Sequence, residues 1–187
     1  MPKSHEINVL GISGSLRKGS YNTALLREAM HLAPNNMHIT IADISEIPVY
    51  NEDIYATGFS PAVERLREQV RSADALLFVT PEYNYSMPGV LKNMIDWVSR
   101  PPEQPFSGKP AAVMGASMGR FGTVRAQNHL RQSVVYLDVK LLNQPEVMIA
   151  SAQNVFDQSG QLTDESTRGY IRKLLEALHY WTLTLRK

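Results

Sequence analysis

Residues 14–22 join a run of apolar residues to a stretch of helical period, and their types suit an anionic ligand. The glycines let the backbone turn sharply, so that several N–H groups face the start of the helix, where the helix dipole favours negative charge. The side chains of Ser15, Ser20 and Asn22 add neutral donors. Arg17 can bind phosphate oxygens through its planar guanidinium. The alternative is a Gly/Ser turn that ends in a helix cap, with Arg17 in solvent.

The spacing of this segment excludes two common nucleotide-binding loops. A P-loop requires a lysine after its last glycine, and here Ser20 follows Gly19. Gly11 and Gly14 do not continue into the GxGxxG pattern of a dinucleotide site, and Asp43 alone does not supply the rest of that pattern. A single phosphomonoester, such as that of FMN, suits the segment better.

A second segment, residues 80–89, follows another apolar run and combines two prolines with Tyr83, Asn84 and Tyr85. Prolines stiffen a loop, and aromatic side chains at the end of a sheet can contact the faces of a flat ring. Backbone donors of the same loop can bind the polar edge of that ring. The segment therefore favours a flat heteroaromatic ligand. The alternative is a rigid turn whose tyrosines cover the next helix.

A third segment, residues 115–122, combines small residues with a hydroxyl and a cation, and its alternative interpretation is a flexible loop. Its Gly115-x-Ser117-x-Gly119 spacing also matches the nucleophile elbow of α/β-hydrolases. Candidate acids and then a histidine follow in the required order: Asp138, Asp157 or Asp164, and His179. His179, however, lies on a continuous amphipathic stretch, whereas a triad histidine usually lies on a loop, and no HGGG-like oxyanion segment is present. A serine hydrolase that uses Ser117 is therefore a distant alternative.

The composition limits the chemistry further. The 187 residues include no cysteine, which excludes a cysteine nucleophile, a CxxC redox pair, an iron–sulfur cluster and a thiolate zinc site. The net charge of +1, without a block of like charges, gives no reason to expect a nucleic-acid partner. The histidines are scattered and predict no metal site: His5, His31, His38, His129 and His179. Any redox chemistry must therefore depend on a bound cofactor.

The apolar runs are too short for a membrane helix. Residues 75–79, one of the longest, fall far below the roughly 20 residues of a membrane span. The first six residues lead directly into a strand-like segment without the apolar core of a signal peptide. We therefore expect no membrane partner and a cytoplasmic location.

The elements that must position these segments alternate along the chain as five β–α pairs. Strands are predicted at residues 7–13, 37–43, 75–80, 111–117 and, interrupted at 143–145, at 139–142 with 147–149. Three helices are predicted at residues 23–33, 89–98 and 124–137. Another is predicted to start after a cap at Ser60, with Pro61 in its first position, and the last to start after a cap at Thr163 or Asp164. The pattern predicts one α/β domain over residues 1–187, with a parallel sheet covered on both faces. Ligands of such sheets bind beyond the carboxyl ends of the strands, where the three segments lie.

The chain resembles the NAD(P)H-dependent FMN reductases of flavodoxin-like fold, and the members that reduce quinones and chromate are the most similar. The matching motifs are GSLRKGSYN at 14–22 and PEYNYSMPGVLKNMIDW at 81–97, while GASMGRFG at 115–122 matches more loosely. The second motif is long and specific, and the similarity extends over nearly the whole chain. The resemblance implies a doubly wound, five-stranded parallel sheet in 2-1-3-4-5 order and a non-covalently bound FMN.

The resemblance also implies roles for individual residues. The phosphate of FMN would be held by Ser15, Arg17, Ser20 and Asn22, with Tyr21 beside them. The ring and ribityl chain would be lined by Pro81, Glu82, Tyr83, Asn84 and Tyr85, mainly through backbone donors. Ser117, Gly119 and Arg120 would approach the flavin from the third segment, a loop that varies among such proteins.

The implied reaction takes a hydride from NADH or NADPH to the flavin and passes the electrons to a small acceptor by a ping-pong mechanism. Quinones, azo and nitro compounds and chromate are candidate acceptors, and no protein side chain is expected to act as a catalyst. The resemblance further implies a homodimer or homotetramer. Candidate contacts in the helix that starts at Gly89 are Val90, Leu91, Met94 and Trp97, unless these residues are buried within one chain. The main rival is a flavodoxin-like electron carrier that does not itself oxidise NAD(P)H.

Overall fold

The core of the fold is a parallel sheet. The computed structural model describes residues 6–186. His5 and the other residues of the segment 1–5 lie outside the described residues. The strands are β1 (Ile7–Ser13), β2 (Met37–Ile41), β3 (Ala75–Val79), β4 (Pro110–Ala116), β5 (Lys140–Leu141) and β6 (Val147–Ile149). Their order is β2-β1-β3-β4-β5, every pairing is parallel, and β6 also pairs with β4. The predicted flavodoxin-like order is confirmed.

The fifth position of the sheet differs from the prediction, because two short strands share it. β5 pairs with the beginning of β4, where Pro110 lies opposite Lys140, and β6 pairs with its end, where Ala116 lies opposite Ile149. The sheet therefore has six strands rather than five. The break includes Pro145, whose nitrogen has no hydrogen to donate to a sheet.

Helices connect the strands. They are α1 (Tyr21–Leu32), α2 (Glu52–Tyr55), α3 (Pro61–Ser72), α4 (Gly89–Val98), α5 (Val124–Val135) and α6 (Glu165–Leu185), with a 3₁₀ turn at Ala152–Asn154. The Ser60 side chain caps α3 by accepting from the N–H of Val63, as its sequence predicts. The Asp164 carboxylate caps α6 in the same way. The one-turn helix α2 was not predicted, because four residues are too few to show a helical period.

The two faces of the sheet bury separate apolar clusters. Side chains alternate along a strand, so Ile7 and Val9 of β1 lie in one cluster while Leu10 and Ile12 lie in the other. The first cluster is covered by α1 and α6, and the second by α3, α4 and α5. Helices packed on both faces hold the strands in place, while the carboxyl ends of the strands lead into loops.

The apolar face of α4 belongs to the core of the chain. Leu91, Met94 and Trp97 are fully buried, so the alternative that these three residues are buried within one chain is confirmed. Trp97 also donates its indole N–H to the carbonyl of Pro48 at 2.8 Å. Only Val90 of the four is partly exposed.

Candidate functional site

The three polar segments of the sequence leave the sheet at the same edge. Gly14 donates its N–H to Val79 at 2.8 Å, and Thr80 donates to Met114 at 3.0 Å, so the loops after β1, β3 and β4 begin side by side. We call residues 14–20 the first loop, residues 80–88 the second loop and residues 117–123 the third loop. Their meeting follows from the parallel order of the strands, because the carboxyl ends of neighbouring strands lie together.

The close approach of these loops requires a glycine in β4. A Cβ atom on Gly115 would lie 2.2 Å from the carbonyl oxygen of Thr80 and 2.4 Å from Oγ1 of Thr123. No larger residue fits without moving the second loop or the start of α5. Gly115 therefore sets how closely the second and third loops pack.

The first loop ends in a helix cap that directs backbone donors outward. The buried Ser20 Oγ accepts from the N–H groups of Asn22 at 3.2 Å and Thr23 at 3.3 Å, which starts α1. Ser15 Oγ accepts from the N–H of Arg17 at 3.4 Å, and the Arg17 side chain is exposed. The Arg17 guanidinium forms no ion pair with a carboxylate of residues 6–186.

The Asn22 side chain, which the sequence predicts as a phosphate donor, is instead bonded within the fold. Its side chain is buried and forms two hydrogen bonds with Ala116, in which Nδ2 donates to the carbonyl and Oδ1 accepts from the N–H, both at 2.9 Å. The carboxamide is thus used to join α1 to the end of β4. Tyr21, next to it, is half-buried and packs on Phe156 with ring centroids 5.1 Å apart.

The second loop narrows to a tight turn. Tyr83 and Ser86 exchange two backbone hydrogen bonds of 2.9 and 3.0 Å, and the two residues between them, Asn84 and Tyr85, have φ values of +48° and +65°. Positive φ at both central positions is typical of a type I′ turn, which asparagine tolerates well. Pro81 is buried, while the Tyr83 and Tyr85 side chains are exposed. The turn therefore presents aromatic surface and backbone N–H groups to solvent at this edge.

The Glu82 carboxylate turns away from this surface and binds the start of α5. It accepts from Nη1 of Arg125 at 2.9 Å and from the backbone N–H groups of Arg125 and Ala126. Burial raises the pKa of the Glu82 carboxyl, but the Arg125 guanidinium and the two N–H donors outweigh burial and hold the pKa below its ordinary value. Sequence reasoning did not select Arg125. The available signal was a cation in the first turn of the helix after the third loop.

The third loop is held by the segment after β6. Ser117 donates its N–H to Ile149 and accepts from Ala152, while the Gly119 carbonyl accepts from Ser151 at 3.2 Å. Arg120 and Phe121 are exposed, with the guanidinium carbon of Arg120 at 5.5 Å from the Phe121 ring centroid.

The hydrolase alternative does not fit this geometry. Ser117 Oγ accepts from the N–H of Gly119 at 3.1 Å, and the structure gives it no bond to a histidine within residues 6–186. Ser117 does not have positive φ, and α5 begins seven residues later, at Val124, rather than directly after the turn. His179 lies inside α6, with Nε2 buried. These positions do not form a nucleophile, base and acid in contact.

Residues 6–186 contain neither a cluster of metal-ligating side chains nor a helix able to span a membrane. No group of three or more His, Asp or Glu side chains within residues 6–186 is placed to hold a metal ion. The helices in that range are not both long enough and apolar enough to cross a bilayer. His38 lies near Glu6, and His129 bonds to Ser86 through Nδ1 at 3.0 Å.

Backbone donors at the edge fit a phosphate joined to a flat polar ring. Within residues 6–186, each loop has N–H groups that donate to no protein acceptor: those of Leu16, Lys18, Gly19 and Tyr21 around the first loop, those of Glu82, Asn84 and Tyr85 in the second, and those of Met118, Arg120 and Phe121 in the third. Amides at a helix start suit phosphate oxygens, and amides beside aromatic side chains suit the oxygen and nitrogen edge of a flavin. The residues present therefore fit FMN. The sheet order and this donor set define a protein of the flavodoxin-like, flavin-binding class.

Comparison with known proteins identifies the family within that class. The family described as NADPH-dependent FMN reductase matches residues 7–154. An NAD(P)H-dependent FMN reductase of Pseudomonas aeruginosa is 68% identical over 183 residues, which cover 98% of this chain and 99% of that protein. A quinone reductase of Escherichia coli is 45% identical over 177 residues, which cover 93% and 94% of the two chains. The chain belongs to the NADPH-dependent FMN reductase family.

Solved structures agree with this assignment. The flavoenzyme NAD(P)H:(acceptor) oxidoreductase FerB of Paracoccus denitrificans has a TM-score of 0.87 to this chain at 34% sequence identity. The match covers 95% of this chain and 98% of FerB. An FMN-dependent NADH-azoreductase of Bacillus anthracis, solved with FMN, shares the fold with a TM-score of 0.62 at 15% identity.

Proposed function

We propose that this protein is an FMN-dependent oxidoreductase that uses NADH or NADPH to reduce quinones. The observation that carries the proposal is the set of unpaired N–H groups on three adjacent loops, in a chain of the FMN reductase family. Relatives named as quinone reductases and a 2-hydroxy-1,4-benzoquinone reductase of Burkholderia support this acceptor class. Azo compounds, nitro compounds and chromate are further acceptors to include in an assay.

The first loop would hold the phosphate of FMN. The N–H groups at the start of α1 and the hydroxyls of Ser15 and Ser20 supply neutral donors, and the exposed Arg17 supplies a charge-assisted bond. Asn22 acts indirectly in this proposal, because its carboxamide already binds Ala116. It would keep the loop against the end of β4.

The second and third loops would hold the ring. Backbone N–H groups of residues 82, 84 and 85 would bind its polar edge, with Pro81 and Tyr83 beside them, and Ser117, Gly119 and Arg120 would border it from the other side. Bound FMN would supply the redox chemistry, which is hydride uptake from NADH or NADPH and electron transfer to the acceptor. The exposed Tyr83, Tyr85 and Phe121 leave one open surface for both substrates. Because the substrates would occupy that surface in turn, we expect ping-pong kinetics and no protein nucleophile.

A direct test is the purified chain with added FMN. We expect stoichiometric binding with the absorbance of a flavoprotein, bleaching by NADH or NADPH without oxygen, and steady oxidation of the nucleotide with a quinone. Parallel initial-rate lines would support the ping-pong order. A chain that binds FMN but does not turn over NAD(P)H would instead be an electron carrier. A chain that neither binds FMN nor oxidises either nucleotide would disprove the proposal.

The proposal extends to organisation and location. We infer a single domain, because one sheet and its two covering clusters include elements from Ile7 to Leu185. We also propose a homodimer or homotetramer in the cytoplasm, where both nucleotides are available. An exposed apolar cavity of about 520 Å³, lined in part by Ile47, Val49 and Val90, supports assembly through this face. Sedimentation equilibrium measures the state, and a monomer at micromolar concentration would contradict it.

A further inference from the structure

The N-terminal end of α5 receives its cap from a distant part of the chain. Glu82 Oε2 accepts from the N–H groups of Arg125 at 2.9 Å and Ala126 at 3.2 Å. Thr123 occupies the N-cap position, but its side chain makes no capping bond, because Oγ1 accepts from Nε2 of Gln127 at 2.9 Å instead. The second loop thus supplies a carboxylate to a helix end that lies 43 positions later in the sequence.

The same carboxylate holds a cation against two aromatic rings. Glu82 Oε1 accepts from Arg125 Nη1 at 2.9 Å. The Arg125 guanidinium carbon lies 3.9 Å from the centroid of the Tyr85 ring and 4.9 Å from that of Phe121. Tyr85 belongs to the second loop and Phe121 to the third, so one side chain contacts both loops. The ion pair is largely buried, with side-chain exposures of 29% for Arg125 and 10% for Glu82.

A second contact brackets the turn of the second loop. One helical turn after Arg125, His129 Nδ1 lies 3.0 Å from Ser86 Oγ. Glu82 and Ser86 are therefore both fixed to α5, and the tight turn at Asn84 and Tyr85 lies between them. The N–H groups of Asn84 and Tyr85 donate to no protein acceptor within residues 6–186. Their direction is set by the two anchors on either side.

We propose that the side chains of Glu82 and Arg125 are positioning residues for FMN. They hold the free N–H groups of the second loop at a fixed distance and angle from those of the third loop. Loss of the Glu82 side chain removes the bonds that join the second loop to the start of α5, and loss of the Arg125 side chain removes the contacts with Tyr85 and Phe121. In either case the donors of the two loops no longer converge on one ring. This inference rests on the proposed FMN site and adds Arg125 to the residues on which that site depends.

The test compares three variants, Glu82→Gln, Arg125→Met and the double variant, with a matched control. The control is Glu28→Gln, which breaks an ion pair elsewhere in the chain. In that pair, Oε1 of Glu28 lies 3.2 Å from Nε of Arg168. That pair joins α1 to α6 and has similar side-chain exposures, 31% for Arg168 and 15% for Glu28. The measurements are the dissociation constant of FMN from quenching of its fluorescence, the visible spectrum of bound FMN, and the melting temperature of the FMN-free protein.

We expect the FMN dissociation constant to rise by about tenfold or more in each single variant, as for the loss of a charge-assisted contact. We expect the visible band of bound FMN to shift as well. Because both side chains act in one unit, the double variant should bind FMN within about threefold of the weaker single variant. Glu28→Gln should lower the melting temperature and leave the dissociation constant within about twofold of the unaltered chain.

The outcomes separate this inference from the proposed function. If the unaltered chain does not bind FMN, the proposed function fails and the inference fails with it. If the unaltered chain binds FMN and both single variants bind it equally well, only the inference is overturned. A lower melting temperature with an unchanged dissociation constant and spectrum would show a purely structural pair and would also overturn it. If Glu82→Gln does not fold, Arg125→Met decides by the same criteria, since it leaves the cap of α5 in place.

Discussion

The carboxamide of Asn22 and the backbone of Ala116 form a closed pair of hydrogen bonds, each 2.9 Å long. Asn22 is the second residue of α1, which follows the first loop, and Ala116 is the last residue of β4, which precedes the third loop. The two hydrogen bonds therefore join the end of the first loop to the beginning of the third. Asn22 and Ala116 are both buried, and the N–H and the carbonyl of Ala116 both have the Asn22 carboxamide as their hydrogen-bond partner.

Replacing Asn22 by Ala should therefore destabilise the fold and also weaken FMN binding. Two buried backbone groups lose their partners, which should lower the free energy of unfolding by about 2–4 kcal/mol in urea denaturation. Asn93→Ala is a matched control, because Asn93 makes the same kind of pair with Tyr50 N–H and the Pro48 carbonyl, away from the three loops. It should cost less stability, because the Pro48 carbonyl keeps the Trp97 indole N–H as a donor, and it should leave FMN affinity unchanged. Equal FMN affinity in both variants would contradict a role for Asn22 in the site.

Arg17→Ala should weaken FMN binding without destabilising the protein. The side chain is exposed and forms no ion pair within residues 6–186, so the folded chain loses little without FMN. A lost charge-assisted bond to phosphate should cost about 1–3 kcal/mol of binding free energy, measured by FMN titration. Arg172→Ala, at an exposed position of α6, is the control and should retain full affinity. Unchanged affinity in Arg17→Ala would remove Arg17 from the phosphate site.

Gly115→Ala should prevent the second and third loops from packing. The added Cβ would meet the Thr80 carbonyl oxygen at 2.2 Å, and a backbone atom cannot move aside without moving the loop. We expect a loss of several degrees or more in melting temperature, together with loss of FMN binding. Gly169→Ala is the contrasting variant, since nothing lies within 4 Å of its new Cβ inside α6. It should be neutral or stabilise by up to about 1 kcal/mol. A fully stable Gly115→Ala that binds FMN would contradict the close approach.

Acid should reveal the stabilisation contributed by Glu82. Its pKa is lower in the folded chain than its ordinary value of 4.5, so the ionised carboxylate stabilises the fold. That contribution is fully present above pH 4.5 and is lost as the pH falls through the lower, folded-state pKa. The free energy of unfolding of the unaltered chain should therefore exceed that of Glu82→Gln by a constant amount near neutral pH. The difference should shrink in acid. A difference that stays constant down to pH 3, or grows, would contradict the lowered pKa.

Most element boundaries could be predicted because they depend on local patterns, whereas the sheet order was predicted from the resemblance to the FMN reductases. β1 and α4 have the bounds that the sequence predicts, and Ser60 with Pro61 begins α3 as expected. Apolar runs of strand length and capping residues act over a few neighbouring positions, so they are visible in one sequence. The split of the fifth strand was partly visible at Pro145, whereas the pairing of both halves with β4 was not.

The candidate site was predictable as three loops but not as a set of contacts. Ser20 caps α1, Arg17 is exposed beside it, and the tyrosines of the second loop are exposed. Their roles in binding phosphate and ring stay predictions. Glu82 was predicted to line the ring, yet its side chain binds α5. Its neighbours in sequence carry no sign of this, because its partner lies 43 positions away.

The sequence by itself determined which segments become strands and helices, and which loops carry donors, aromatic rings and cations. It also excluded thiol chemistry, since the chain has no cysteine. Only the tertiary structure decided how those polar side chains are used. Packing of α1 against β4 and of the second loop against α5 buries Asn22 and Glu82, and a buried polar group must find a partner within the fold. These two side chains therefore hold the loops together, and the surface facing solvent is left to backbone N–H groups, Arg17 and the aromatic rings.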